Sequence, residues 1–267
     1  MPLLEETPGL LEALRGEMVP KFLATRNPGG VPNVVPVVSI LPDEGEPDTL
    51  FFGNFLLRKS ISNLKQDRRV GILVITEALH GWVLKGDFVE FQQTGSYVDR
   101  QKMSSLLRYN PYTGIRNAGV IRVRSLEGTF RISKVQVATD YLLARLAIAL
   151  GAGRHLGEDG VVMPLPVRNV FAKMIAVKVL AWVDGDGYPA VVPALSLQPA
   201  FERLLVGRTM RPLPVPTEDA PVAANILTFE AISYQAKGRW KGDGRTGALR
   251  VQEIYAGGPP IPGGRVA

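Results

Sequence analysis

Lys21-Phe22-Leu23-Ala24-Thr25-Arg26-Asn27-Pro28-Gly29-Gly30-Val31-Pro32-Asn33-Val34-Val35-Pro36-Val37-Val38-Ser39-Ile40 has a second, altered copy later in the chain. That copy is Lys178-Val179-Leu180-Ala181-Trp182-Val183-Asp184-Gly185-Asp186-Gly187-Tyr188-Pro189-Ala190-Val191-Val192-Pro193-Ala194-Leu195-Ser196-Leu197. The two align without gaps at a shift of 178 − 21 = 157, and nine of the twenty positions are identical. Further matches follow in order: Gly53 with Gly207 (shift 154), Lys85-Gly86 with Lys237-Gly238 (shift 152), and 119–123 with 247–251 (shift 128). The shift falls only across loops, where deletions are tolerated. A period this long predicts two tandem domains, 1–160 and 161–267, and not a solenoid.

In the first copy, alternating apolar residues flank an Asn-Pro-Gly-Gly turn, which predicts a β-hairpin of 21–26 and 32–41. Before it, Thr7-Pro8 as cap and first helical residue, leucines at 10, 11 and 14 and a stop at Gly16 predict a helix over 7–14. After it the pattern predicts a strand at 50–53, a helix at 59–66 and strands at 69–76 and 81–92. A helix near 98–107, strands at 119–124 and 129–136, a helix at 139–150 and a glycine-rich linker at about 151–160 complete the copy. The second copy lacks the long insert and ends in a proline-glycine tail, 257–264, expected to have no order of its own. The fold class is mainly β with flanking helices, one small barrel per copy.

A chain of 267 residues can hold two ordinary domains, and 46% apolar with 21% charged residues is a globular composition. Without cysteine, disulfides and thiolate metal sites are excluded. His80 and His155 have no acid at metal-ligand spacing, so no metal site is expected. No catalytic residue is legible, since a Gly-x-Ser-x-Gly elbow is missing and two histidines leave little room for a triad. The net charge of +6 is scattered, which argues against nucleic acid and suits a small anionic ligand. Residues 1–11 carry acids and a proline where a signal peptide needs basic residues, and 141–153 is too short to span a bilayer and contains Arg145. The expectation is a soluble, cytoplasmic protein with no membrane partner.

The functional signal lies in Thr49-Leu50-Phe51-Phe52-Gly53-Asn54-Phe55-Leu56-Leu57-Arg58-Lys59-Ser60-Ile61-Ser62-Asn63-Leu64. A buried strand, a turn at glycine and Arg-Lys-Ser at a helix start bring two cations, a hydroxyl and free backbone N–H groups to one point. That combination holds a phosphate.

The order of these pieces (an Asn-x-Gly-Gly-x-Pro hairpin, Phe-Gly-Asn-x-x-x-Arg-Lys-Ser, a helix with Asn-Leu, and a strand with Lys-Gly) resembles the FMN-binding split barrel family. That family is also called pyridoxamine 5′-phosphate oxidase-like. The resemblance covers about 22–91 in the first copy, and the hairpin and Lys-Gly strand in the second. It implies FMN in a groove between two barrels, its phosphate held by Arg58, Lys59 and Ser60. It also implies that Pro36, Val37 and Val38 line the isoalloxazine, with Phe52, Gly53 and Asn54 passing under the ring and ribityl chain. The activity implied is that of an FMN oxidoreductase passing electrons from NAD(P)H or a protein donor to a small acceptor. A non-enzymatic flavin or haem sensor of the same fold is the alternative, and a deazaflavin in the groove is another.

The second copy departs from the motif. Opposite Asn54 to Ser60 stand Arg208, Arg211 and prolines at 212 and 214, with another at 216, which break the expected helix. One FMN site per chain is therefore expected, with the second barrel as structural partner. Pairing within the chain would put Trp240 or Lys237 on the far side of the flavin. Pairing between whole chains, as a homodimer, would leave the second barrel peripheral, and the two remain open. Trp82 is read as core, with Lys85 on the opposite face of the same strand. Tyr109, Tyr112, Arg116 and Asn117 are read as a lid or substrate edge.

Overall fold

The computed structural model describes residues 2–55, 57–104, 114–151, 153–157, 159–208, 210, 213–242, 246–258 and 262–267. The first half carries helices α1 (Leu3–Glu6) and α2 (Leu10–Arg15), then strands β1 (Lys21–Arg26), β2 (Pro32–Pro36), β3 (Leu41–Pro42) and β4 (Thr49–Gly53). Helix α3 (Arg58–Gln66), strands β5 (Arg69–Ile75) and β6 (His80–Gln92), helix α4 (Ser96–Met103) and strand β7 (Ala118–Arg131) follow. Helix α5 (Lys134–Ala149), a 3-10 turn (Arg154–Gly157) and α6 (Leu165–Phe171) lead into the second half. There the strands are β8 (Val177–Val183), β9 (Pro189–Pro193), β10 (Gln198–Ala200), β11 (Leu204–Arg208), β12 (Pro221–Leu227), β13 (Ser233–Lys241) and β14 (Thr246–Ala256).

Each half forms one seven-stranded antiparallel sheet. The first runs β2-β1-β5-β6-β7-β4-β3, and the second, read from its far end, runs β9-β8-β12-β13-β14-β11-β10. Matching strands in chain order makes the two sequences of neighbours identical, so the duplication is a duplication of topology. One of the three register slips in β6 repeats as well. The ladder slips at Lys85/Gly86 in β6 and at Lys237/Gly238 in β13. Glycine is needed there because a Cβ on Gly238 would run into the carbonyl of Arg250, and one on Gly86 would lie 2.7 Å from that of Arg122.

The central strands are buried on both faces, and the period of two shows where each face goes. Leu23, Ile72 and Val74 point into the first barrel, while Phe22, Ala24, Leu73 and Ile75 point outward. In the second half Leu180, Val222, Ala224 and Ile226 fill the barrel, and Val179, Ala181 and Ala223 point outward. The two outward sets meet in a third apolar layer between the halves. Each fully buried aliphatic or aromatic side chain there contributes about 1.5–3 kcal/mol. The two barrels therefore pair within the chain.

Several boundaries differ from the sequence expectation, each for a local reason. The helix expected over 7–14 is split. Thr7 closes α1, its Oγ1 donating to the Leu3 carbonyl at 2.8 Å, and Gly9 at φ 74° starts α2. The strand expected to reach 41 stops at Pro36, because a turn closed by Ile40 N–H on the Val37 carbonyl intervenes before β3. The two strands expected at 119–124 and 129–136 are one, β7, which stays on the long β6 as far as Arg131. Helix α5 then begins at Lys134, taking residues assigned to a strand, and it packs against β10 and β11 of the second sheet. Helix α4 ends at Met103, and 105–113, with Tyr109 and Tyr112, lie outside the described residues.

The C-terminal tail takes its order from a neighbouring strand. Its end folds back along β14, with a bridge between Tyr255 and Arg265 and bonds from Ala256 N–H to Gly264 and from Ile254 N–H to Ala267. The backbone of β14 thus gives the tail a template that composition alone does not reveal. No described helix is long and apolar enough to cross a membrane.

Candidate functional site

Helix α3 opens at the end of the β4 turn with no side chain capping it. The first turn of such a helix has backbone N–H groups without intrahelical partners, and the helix dipole makes that end attractive to anions. Arg58 is exposed, Lys59 half-buried and Ser60 buried. Asn33 Nδ2, from β2, donates to Ser60 Oγ at 3.1 Å, which leaves the Ser60 hydroxyl proton available to an acceptor. One turn on, Asn63 Nδ2 donates to Thr25 Oγ1 at 3.0 Å and pins α3 to β1.

The second half closes this corner. Lys59 Nζ lies 2.9 Å from the centroid of the Tyr255 ring, and Lys237 Nζ lies 5.8 Å from the same centroid. Tyr255 donates its phenolic proton to Glu253 Oε2 at 2.7 Å, and Arg265 stands 3.7 Å from Glu253. Burial holds the Lys59 ammonium below its ordinary pKa, with Glu253 opposing and Arg265 adding to that shift. Burial, then the charge of Lys59, brings Lys237 down to about 8. Lys59, Lys237 and Arg265 thus surround a single carboxylate, leaving excess positive charge in a half-buried corner.

The pseudo-twofold mate of this corner is built differently. Lys85, which corresponds to Lys237, is held by Asp186 at 2.7 Å, Glu127 at 3.2 Å and Asp184 at 3.3 Å. Burial disfavours its charge, but the hydrogen bonds it donates to Asp186, Glu127 and Asp184 outweigh that and hold its pKa above the ordinary value. Asp184 and Asp186 sit in the β8–β9 turn, where the first copy has the uncharged Asn27 and Gly29. Next to them Tyr188 donates to Asp87 at 2.9 Å and Arg26 reaches the Gly187 carbonyl at 3.0 Å. One corner is neutralised by the chain's own acids, and the other is not.

The remaining residues singled out in the sequence divide into lining and support. Pro36 and Val38 are half-buried, while Val37 belongs to the first core. Val37 N–H donates to the Lys21 carbonyl at 2.7 Å, and Val38 C=O accepts from Lys21 Nζ at 3.1 Å. Among the described residues no hydrogen bond engages the Pro36 carbonyl or the Val38 N–H. Phe52 is fully buried, edge-on to Phe91 at 6.4 Å. Gly53 exchanges bonds with Ser39 Oγ, donating at 3.2 Å and accepting at 3.4 Å. Asn54 is buried, its N–H on the Asn117 carbonyl at 2.9 Å and its carbonyl accepting from Arg116 N–H at 3.3 Å.

In the second copy Ser196 Oγ makes the same pair of bonds to Arg208, at 2.9 and 3.1 Å. Gly53 therefore corresponds to Arg208, at a shift of 155, and not to Gly207. The Arg208 guanidinium is taken by Asp140 of α5 at 2.7 Å, and Arg211 and Pro212 lie outside the described residues. Trp240 is a core residue of the second barrel and does not face the groove. Trp82 is core as well, its ring 4.4 Å from that of His80. A cleft of about 500 Å³ lies apart from the motif, beside β11 and β14, and His155 lines it. Its Lys241 is paired with Asp219 at 3.0 Å and Glu218 at 3.5 Å. No group of three or more potential metal ligands occurs among the described residues.

The fold is a tandem pair of split barrels. No family model and no curated protein matches the chain. Among solved structures, an FMN-binding protein from Syntrophomonas wolfei is similar at 20% identity and TM-score 0.40, over 49% of this chain and 88% of that one. Group A Streptococcus HupZ is similar at 18% identity and TM-score 0.38, over 48% and 94%. HutZ, the haem storage protein from Vibrio cholerae, is similar at 15% identity and TM-score 0.36, over 49% and 95%.

Proposed function

We propose that the chain binds one FMN in the groove between its two barrels and works as a flavoprotein oxidoreductase. In this reading residues 1–160 supply the phosphate motif and 161–267 the partner barrel. The observation that carries it is the unbalanced charge at Lys59 and Lys237, set against the neutralised charge at Lys85. A phosphomonoester carries nearly two negative charges, and its charge-assisted hydrogen bonds are worth about 1.5–3 kcal/mol each.

The donor set fits that group. Arg58 offers a guanidinium, Lys59 an ammonium, Ser60 a hydroxyl proton oriented by Asn33, and the first turn of α3 its backbone N–H groups. The Pro36 carbonyl and Val38 N–H are a complementary acceptor and donor for the polar edge of a flavin ring. Gly53, whose absent Cβ would lie 2.9 Å from the Phe55 ring, keeps the β4 turn close to the helix start. When bound, the flavin supplies hydride and single-electron chemistry, and the protein's task is to anchor and polarise it. NAD(P)H or a protein donor would feed electrons in, and a small molecule would accept them.

The haem alternative finds no histidine at this corner, since His80 packs on Trp82 and His155 lines the separate cleft. The test is titration of the purified protein with FMN, followed by flavin absorbance and fluorescence, for wild type and the Arg58→Ala/Lys59→Ala variant. Saturable binding lost in a folded variant supports the reading. Equal affinity of the two proteins refutes the phosphate assignment. Anaerobic reduction of bound flavin by NADH or NADPH separates the oxidoreductase from a flavin sensor.

A further inference from the structure

We infer that Lys237, contributed by the second barrel, completes the anion site of the first and makes it selective for a phosphomonoester dianion over an uncharged ligand. This rests on the FMN reading above and adds a residue outside the Arg58-Lys59-Ser60 motif.

Three observations converge on it. Lys237 is 9% exposed, and among the described residues no carboxylate lies within ion-pair distance of its ammonium. Its cross-strand neighbour Glu253 is already engaged by Tyr255 and Arg265. Lys59 and Lys237 also approach one aromatic ring from separate barrels, so a single anion beside Tyr255 can meet both. Finally, the matching Lys85 has three carboxylate partners, supplied largely by a turn whose counterpart in the first copy is uncharged. A buried ammonium without a counter-ion is costly, and a second cation nearby raises the cost. A dianion arriving at the α3 end removes both penalties at once, whereas riboflavin, lacking the phosphate, removes neither.

The charged and titratable groups around Lys237 are Lys59 on α3, Glu253 and Tyr255 on β14, and Arg265 in the terminal segment. With the Lys237 pKa near 8, part of the population is neutral in weakly alkaline solution, and a dianion draws a proton onto it.

The test is calorimetric titration of the full chain with FMN, riboflavin and inorganic phosphate at pH 8, in two buffers of different ionisation enthalpy. Wild type should prefer FMN to riboflavin and take up protons with FMN and with phosphate. Lys237→Gln should lose about 10- to 100-fold in FMN affinity, leave riboflavin affinity unchanged and show reduced proton uptake. Lys237→Arg should retain the FMN preference. If Lys237→Gln keeps both the preference and the proton uptake, the inference falls while the FMN reading stands. If wild type binds FMN and riboflavin equally, or binds FMN without proton uptake, Lys237 is not part of the site. If wild type binds no FMN, the underlying reading fails too. The wild-type measurements decide the matter even where a variant is poorly folded.

Discussion

Lys85 and Lys237 occupy equivalent places in the two barrels, yet one is held by three carboxylates within 3.3 Å and the other by none among the described residues. The difference lies in two turn positions, Asp184 and Asp186 against Asn27 and Gly29, and in one strand position, Glu127 against Tyr255. A duplicated fold offers two symmetry-related grooves. Here one is stapled by the chain's own acids, and the other presents a lysine with no carboxylate partner among the described residues.

The staple should matter for stability. Asp184→Asn with Asp186→Asn leaves the buried Lys85 with Glu127 alone, at 3.2 Å. Removing partners from a buried charge costs several kcal/mol, but these two carboxylates are nearly half exposed, so about 1–3 kcal/mol is expected. Urea unfolding should show a lower midpoint with an unchanged slope.

Lys178 should make stability rise with pH. It is fully buried, its Nζ has no hydrogen-bond partner, and burial lowers its pKa to about 7 from an ordinary 10.5. Between those values the unfolded chain binds the proton and the native chain does not, so unfolding becomes less favourable as pH increases. Lys21, brought down to about 8 chiefly by burial, acts in the same direction. The unfolding midpoint should climb from pH 7 towards 10, and Lys178→Met should stabilise the protein at pH 7 and flatten that slope.

The bulge in β13 should not accept a side chain. Gly238→Ala places a Cβ against the Arg250 carbonyl, a backbone atom that cannot swing away. Overpacking of this kind costs about 1–3 kcal/mol, and a shift at the bulge would also move the adjacent Lys237. A lowered melting temperature together with weakened FMN binding is expected.

The contact between Lys59 and Tyr255 should compete with the ligand. A cation over a partly desolvated ring is worth about 0.5–2 kcal/mol, which an incoming phosphate must replace. Tyr255→Leu removes that contact while keeping the position apolar. FMN affinity should therefore be equal to or up to about tenfold tighter than wild type, measured at matched folded fraction.

Much of this architecture was legible in the residues, because the hairpin copies keep their Pro-x-Val-Val-Pro core where each barrel packs on its twin. The intrachain pairing was not legible, since alternation alone does not say which face of a strand meets a partner barrel, and Phe22, Ala24, Leu73 and Ile75 show it only on the folded sheet. The one-residue error in aligning Gly53 with Gly207 has a similar origin. Glycine identity misled there, and only the bonds from Ser39 and Ser196 reveal the register. The role of Asp184 and Asp186 was hidden because their partner lies about a hundred residues away, across the barrel boundary. Trp240 was misplaced because a strand tryptophan near a groove and one inside a barrel have the same sequence pattern.

Counting flavin per polypeptide tests the central claim most directly. Equilibrium dialysis of the purified chain against FMN, with the total flavin bound compared with protein concentration, should saturate at one FMN per chain, and Arg58→Ala/Lys59→Ala should abolish that binding. No saturable FMN, two equivalents per chain, or one equivalent undiminished in the double variant would contradict it.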